Sequence, residues 1–354
     1  MTDSCKWGIL STAGIAKKNW QAILNSGNAE VGAVASRSID SAQSFIDACQ
    51  ADHPFETSPK AYGSYDELLA DPDIQAVYIP LPTGMRKEWV IKTAEAGKHV
   101  LAEKPAARHA DEVQAMLDAC NANGVQYMDG VMYMHSDRLP LLRQALDNPD
   151  NLGTIRRISS VFCFAAVPGF LENNIRVNSD LEPMGCLGDL GWYTARMILW
   201  IKHYEMPKTV IGKILSAQSR ADSPEPVPTQ FSAELFYEDG TSASFYNSFI
   251  CAFQQWLNVA GSDGYLHVPD FVLPNDSGQI GFDLKTADDL STTTVDEVGA
   301  FHESAQETKM IRAFNQIVLS GQLDPGWGEI TLKTQRVLDA LFASAKQDGA
   351  PVSL

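Results

Sequence analysis

The segment KHVLAEKPA closes an apolar run on Glu103, Lys104 and Pro105. Such a run reads as a buried strand that ends there, and in an open parallel sheet ligands bind beyond the carboxyl ends of the strands. A lysine at that place carries its ammonium toward a ligand cleft, where it can meet negative charge developing on a substrate oxygen. Pro105 holds the turn rigid. A second candidate pair lies in GDLGWYTARMILW, where Asp189 and Tyr193 stand at i and i+4 and fall on one face of the helix that this pattern predicts. Helix capping by Asp189 and core packing by Tyr193 are the structural alternatives.

The first strand runs into GILSTAGIA, where Ser11, Ala13 and Ala16 occupy the three positions that glycines hold in a dinucleotide-binding G-x-G-x-x-G. Small residues still permit a tight turn and let backbone N–H groups approach a pyrophosphate at a helix N-terminus. The second strand ends in VASRS, with Ser36 and Arg37 where an NAD site would carry a carboxylate for the ribose hydroxyls. Arginine pairs bidentately with a 2'-phosphate and stacks on adenine, so the pattern predicts NADP(H) in preference to NAD(H).

The elements that must hold these residues follow from periodicity. KWGIL, EVGAVAS, AVYIPLP, KHVLAEK and VQYMDGVMY read as strands that alternate with helical patterns, the signature of βαβ units and a parallel sheet. Ser64 and Glu67 form a capping box before a short helix. From about residue 155 longer alternating stretches such as RRISSVFCFAAV, QFSAELFYED and SASFYNSFI suit antiparallel strands, with an Asp-Gly turn signal in YEDGTSA. The fold class is α/β followed by α+β: an N-terminal doubly wound Rossmann domain over residues 1–131, and an open-faced, mainly antiparallel sheet domain over 132–354 for substrate binding and oligomerisation.

Composition narrows the function. A chain of 354 residues with net charge -17 does not attract nucleic acid or an anionic membrane surface. Cys5, Cys49, Cys120, Cys163, Cys186 and Cys251 are scattered without a C-x-x-C pair or a cysteine-histidine set at metal-ligand spacing, so no metal is expected. With no signal-peptide pattern and no run long enough to span a bilayer, the expected location is the cytoplasm.

Taken in order, GILSTAGIA, ASRS, YIPLPT, AEKP and GCLGDLGWY resemble the glucose-fructose oxidoreductase and inositol dehydrogenase family (Gfo/Idh/MocA) over essentially the whole chain. Within it, the tyrosine-bearing form is similar to NADP-dependent dihydrodiol and xylose dehydrogenases. The resemblance implies that Lys104 is the active-site lysine, preceding a cis peptide to Pro105, and that Asp189 and Tyr193 are the D-x-x-x-H/Y pair of the second domain. It implies that Ser11, Thr12, Ala13, Gly14, Ile15, Ser36, Arg37, Leu81, Pro82, Thr83, Glu103 and Lys104 bind cofactor, with Leu81 to Thr83 bordering the nicotinamide, and that Arg176 joins Asp189 and Tyr193 at the substrate. The activity implied is hydride transfer between NADP(H) and a hydroxyl or carbonyl of a sugar, polyol or trans-diol. Tyr193 would be the acid/base and Lys104 its electrostatic partner, or the two exchanged. A homodimer or higher homo-oligomer through the C-terminal sheet is expected.

Two alternatives remain at this level: a non-enzymatic NADP-sensing regulator of the same fold, and an oxidoreductase that keeps its cofactor and couples two sugars. Retention of Lys104, Asp189 and Tyr193 together favours an enzyme, and the lack of an arm-like N-terminal extension speaks against the second. The departure from the family at Met134 and His135 leaves His135 as a structural or rim residue. Trp89, Trp192 and Trp327 could stack on a sugar or simply pack.

The cofactor reading has a direct check. Replacing a charge-assisted pair by a like charge removes about 1.5–3 kcal/mol, so Arg37→Asp should lower the NADPH to NADH affinity ratio at least tenfold in a fluorescence titration. An unchanged ratio would contradict it.

Overall fold

Runs such as AVYI at residues 76–79 are buried at every position and therefore suit a sheet covered on both faces. In the computed structural model, which describes residues 4–274, 278–299 and 301–354, six strands pair in parallel: β1 (Cys5–Leu10), β2 (Ala29–Ala35), β3 (Lys60–Tyr62), β4 (Ala76–Ile79), β5 (His99–Ala102) and β6 (Tyr127–Asp129). Their spatial order is β3-β2-β1-β4-β5-β6. Helices α1 (Gly14–Ser26), α2 (Ile39–Asp52), α3 (Tyr65–Leu69), α4 (Thr83–Glu95) and α5 (Ala110–Ala122) alternate with them. One half of the predicted capping box opens α3, where Glu67 N donates to Ser64 Oγ at 3.3 Å, while the Glu67 carboxylate accepts from Gly63 N at 3.1 Å, one residue before the cap.

The second sheet follows α6 (Arg138–Asp147) and α7 (Pro149–Leu152). It begins with β7 (Ile155–Ala165) and resumes, after α8 (Phe170–Asn173), α9 (Gly185–Asp189) and α10 (Gly191–Ile201), with β8 (Thr209–Gln218), β9 (Val227–Phe236) and β10 (Ser242–Ser248). Strands β11 (Ile250–Gln254), β12 (Leu257–Gly261), β13 (Tyr265–Val268), β14 (Gln279–Lys285) and β15 (Leu290–Asp296) complete the run. Two helices, α11 (Gln306–Ser320) and α12 (Gly326–Lys346), precede a last short strand, β16 (Val352–Ser353). The order is β15-β14-β13-β12-β7-β10-β9-β8-β16, with β11 also paired to β7.

Neighbours are antiparallel except at the centre, where β10 runs parallel to β7. No hairpin joins those two strands, so nothing local sets their direction. Alternating burial in β9 and β10 leaves one face for α9 and α10 to cover. At the far side Gly212 lets β8 touch α12: a Cβ there would lie 2.1 Å from the Leu341 carbonyl oxygen, and Gly212 N donates to Ser344 Oγ at 3.0 Å.

Two compact units result. One holds residues up to 107 with 111–136 and 299–331, and the other holds 108–110, 137–298 and 332–354. No single cut near residue 131 separates them, because the chain returns to the first sheet. Phe314 of α11 packs on Trp7 with ring centroids 5.1 Å apart. The Trp7 indole donates to Asn315 Oδ1 at 2.8 Å, and Asn315 Nδ2 donates to Asn28 Oδ1 at 2.8 Å. Lys18 of α1 forms an ion pair with Glu307. No described helix is long and apolar enough to cross a membrane.

Phe314 is fully buried. Truncating a buried phenylalanine costs about 3–5 kcal/mol, so Phe314→Ala should destabilise the unit containing residues 4–107 by that amount in urea unfolding followed by Trp7 and Trp20 fluorescence. A change below about 1 kcal/mol would show that α11 adds little to this core.

Candidate active site

At the carboxyl edge of the parallel sheet, β1 passes into α1 through Ser11, whose φ of +106° lies in the half of backbone space that favours glycine. An L-residue held there costs about 1–2 kcal/mol. The turn is fixed by Ser11 N donating to Ala35 O at 2.9 Å and by Ala13 N donating to Ser11 Oγ at 3.1 Å. So the first small residue of GILSTAGIA does adopt a glycine-like conformation. Helix α1 then starts without a side-chain cap, a Cβ on Gly14 would meet nothing within 4 Å, and Ile15 is exposed. Unsatisfied amides facing open space suit a pyrophosphate. Ser36 is buried beside this turn, while Arg37 is exposed and makes no ion pair among the described residues. A guanidinium so placed suits a 2'-phosphate, and the edge therefore fits a phosphorylated dinucleotide.

The neighbouring turns bring the other first-unit residues to the same edge. Ile79 pairs with Ala102, and Glu103 N donates to Ile79 O at 3.1 Å, which sets Glu103 and Lys104 beside the segment from Leu81 to Thr83. Leu81 and Thr83 are buried, and Pro82 is half-buried as the residue before α4. The Lys104–Pro105 peptide is cis.

Three residues that sequence reasoning passed over hold this turn. Asn19 Nδ2 donates to the Tyr78 hydroxyl at 2.7 Å, which donates to Glu103 Oε1 at 2.7 Å, while Glu103 Oε2 accepts from Lys104 N at 3.2 Å. Burial first, then the Glu103 carboxylate, raises Tyr78 well above an ordinary phenol, so it stays a donor. Buried Arg86 donates to the Pro105 carbonyl and to Thr83 Oγ1, the latter at 3.2 Å. Glu103 is thus turned toward Tyr78 and the Lys104 amide. The only sequence signal for these residues was polarity inside otherwise apolar elements.

In the second unit Arg176, Asp189 and Tyr193 come together. Arg176 Nε lies 2.9 Å from Asp189 Oδ2. The Asp189 carboxylate is the largest cause of a raised Arg176 pKa, with Glu182 and Tyr193 adding to it. Asp189 and Tyr193 are both buried. The single helix expected here is two: α9 ends at Asp189, Leu190 intervenes with φ of -100°, and α10 starts at Gly191. A Cβ on Gly191 would lie 3.0 Å from Asn247 Oδ1, so the break lets the chain pass a fully buried polar side chain. Phe162 packs edge-on to Tyr193 with centroids 5.5 Å apart, and Asn247 Nδ2 donates to Phe162 O at 3.1 Å.

The remaining candidates are packing residues. His135 is half-buried and stacks on Trp327 at 4.9 Å, desolvation pushes its pKa down to about 4, and so it is neutral at pH 7. Trp192 is fully buried, and Trp89 packs edge-on to Tyr65 at 4.8 Å. Among the described residues no group of three or more His, Cys, Asp or Glu is placed to hold a metal.

Residues 5–131 match the model of the Gfo/Idh/MocA oxidoreductase family with an NAD-binding Rossmann fold, and residues 141–267 match the Gfo/Idh/MocA C-terminal domain. The chain is 32% identical to D-xylose 1-dehydrogenase (NADP(+)) 2 of Haloferax volcanii, over 98% of this chain and 99% of that one. It is 30% identical to dTDP-3,4-didehydro-2,6-dideoxy-alpha-D-glucose 3-reductase of Saccharopolyspora spinosa, over 82% and 83%. Among solved structures, the 3-ketoreductase KijD10 of Actinomadura kijaniata, crystallised with NADP and TDP-benzene, superposes with a TM-score of 0.82 at 25% identity, covering 97% of this chain and 98% of that one. That enzyme was also crystallised with a tyrosine changed to phenylalanine and with a lysine changed to glutamate.

Arg86 offers the sharpest check on how the Lys104 turn is held. Displacements of about 1 Å cost on the order of 100-fold in rate. Arg86→Leu should lower kcat/KM by that order with an unchanged circular dichroism spectrum, and Arg86→Lys should recover part of the loss. Equal activity in all three proteins would show that the contact with Pro105 does not matter.

Proposed function

The chain belongs to the Gfo/Idh/MocA oxidoreductase family, and from that membership we propose that it is an NADP(H)-dependent oxidoreductase acting on a CH–OH or carbonyl group of a sugar or diol. The observation that carries the proposal is the convergence of the Ser11 turn, the start of α4 and Lys104 at one edge of one sheet. In this reading the amides of Gly14 and Ile15 take the pyrophosphate and Arg37 takes the 2'-phosphate, while Leu81, Pro82 and Thr83 border the nicotinamide. Bound there, the nicotinamide would accept or supply the hydride.

The chain's own residues then handle the proton. A free tyrosine, with a pKa of about 10, is a poor base at neutral pH. A nearby cation favours the phenolate and also stabilises an alkoxide as it forms. Tyr193 is therefore assigned as the acid/base and Lys104 as the cation at the reacting oxygen. The Arg176–Asp189 pair is assigned to orient the substrate, and the Phe162 edge contact limits how far the Tyr193 ring can turn. Full-length similarity to a xylose dehydrogenase makes aldose oxidation with NADP(+) the first activity to test. Pairing of copies through the C-terminal sheet belongs to the same reading and is tested by light scattering.

A panel of aldoses, polyols and trans-diols followed by nicotinamide absorbance tests the assignment. Turnover should prefer NADP(+), and Lys104→Met and Tyr193→Phe should each lower kcat/KM by about 100-fold or more, the usual scale for acid/base groups. Near-normal turnover in both variants would sink the mechanism. Tight NADP(H) binding with no turnover on any substrate would favour the regulator.

A further inference from the structure

Strands β7 and β11 bring two cysteines near each other, with Cys163 Sγ against the carbonyl of the residue that follows Cys251. Cys163 is buried in β7 and Cys251 is half-buried in β11. The strands are antiparallel neighbours, with Ile250 opposite Ala165 and an irregularity before Gln254 comes opposite Cys163. The Cys251 thiol lies close enough to Cys163 to add to its raised pKa. Cys163 Sγ also donates to Ala252 O at 3.1 Å, so the irregular segment bends toward the buried sulfur. Gln254 Nε2 donates to Cys251 Sγ at 3.9 Å, and Cys251 is the more accessible of the two sulfurs. The other four cysteines are all buried, and burial pushes Cys5 and Cys120 up to about 12 and Cys49 up to about 11.

We propose that Cys163 and Cys251 are a redox-active dithiol, which a hydroperoxide converts to a disulfide that slows turnover until a thiol reductant reopens it. The Cys251 sulfur attacks hydrogen peroxide; the O–O bond breaks, leaving a cysteine sulfenic acid and one water. The Cys163 sulfur then displaces the hydroxyl, the S–S bond forms, and a second water leaves. Two thiols lose two electrons and two protons, which together reduce the peroxide to two waters. Burial, with the Cys251 thiol adding to it, pushes Cys163 up to about 12. It is therefore the resolving rather than the attacking sulfur. Cys163 directly follows Phe162, the ring that packs on Tyr193, so drawing β7 toward β11 at this point shifts the contact that sets the phenol. Only this effect on turnover rests on the function proposed above.

The full chain, freed of reductant, is treated with hydrogen peroxide, blocked with iodoacetamide, digested and mapped by mass spectrometry. The expected product is a peptide pair joined through Cys163 and Cys251, about 2 Da lighter than the reduced pair and lost on adding dithiothreitol. Turnover should fall several-fold with the cross-link and return with dithiothreitol. Cys251→Ser should keep basal turnover and show neither the link nor the peroxide response. Absence of the joined pair, or pairing of other cysteines, would overturn the proposal. So would full turnover in the cross-linked protein, or undiminished peroxide inactivation of Cys251→Ser. Because the peptide map needs no substrate, failure of the dithiol is distinguishable from a wrong choice of substrate.

Discussion

The order β3-β2-β1-β4-β5-β6 is the constraint on which the rest of the site depends. Right-handed crossovers carry the chain outward in both directions from β1 and β4, so the helices that follow these strands leave the carboxyl edge on opposite faces. A crevice opens there without any residue being chosen to make it. The first-unit candidates sit at that edge, on turns or at the helix starts that follow them: Ser11 after β1, Arg37 after β2, Thr83 at the start of α4 and Lys104 after β5.

Position alone does not fix a side chain to the precision that hydride transfer needs, and the edge is stiffened accordingly. Ser11 is kept in a backbone conformation that costs it about 1–2 kcal/mol, held by one main-chain and one side-chain hydrogen bond. Strain that persists because its surroundings over-determine it is characteristic of functional turns. The Lys104 turn is held twice, by the Asn19–Tyr78–Glu103 chain on one side and by Arg86 on the other. Because Asn19 lies in α1, the helix that would meet the pyrophosphate and the turn that carries the lysine share one hydrogen-bonded chain.

Much of this was legible in the sequence. Continuous apolar runs marked the parallel strands, and the strand-ending Lys104 stood out because charge beside proline is a poor way to continue buried structure. Long-range packing was less visible. Nothing in ESAQETKMIRAFNQIVLSG says that its Phe314 will meet Trp7, so the return of α11 to the first unit lay beyond periodicity. The break between Asp189 and Tyr193 depends on Asn247, which approaches Gly191 from a strand far along the chain. Likewise the parallel pairing of β7 and β10 follows from tertiary order that alternation cannot encode. The supporting set of Asn19, Tyr78 and Arg86 was hidden because a polar residue in a helix or strand looks the same whether its partner is water or a buried carboxylate.

The central claim is that the carboxyl edge between β1 and β4 holds the cofactor. Hydrogen–deuterium exchange on the full chain with and without NADP(+) tests it most directly, since bound phosphates take up the very amides that would otherwise exchange. The account predicts slowed exchange in peptides covering residues 11–15, 36–37, 81–83 and 103–106. Unchanged exchange at all four under saturating NADP(+), or protection confined to other segments, would contradict it.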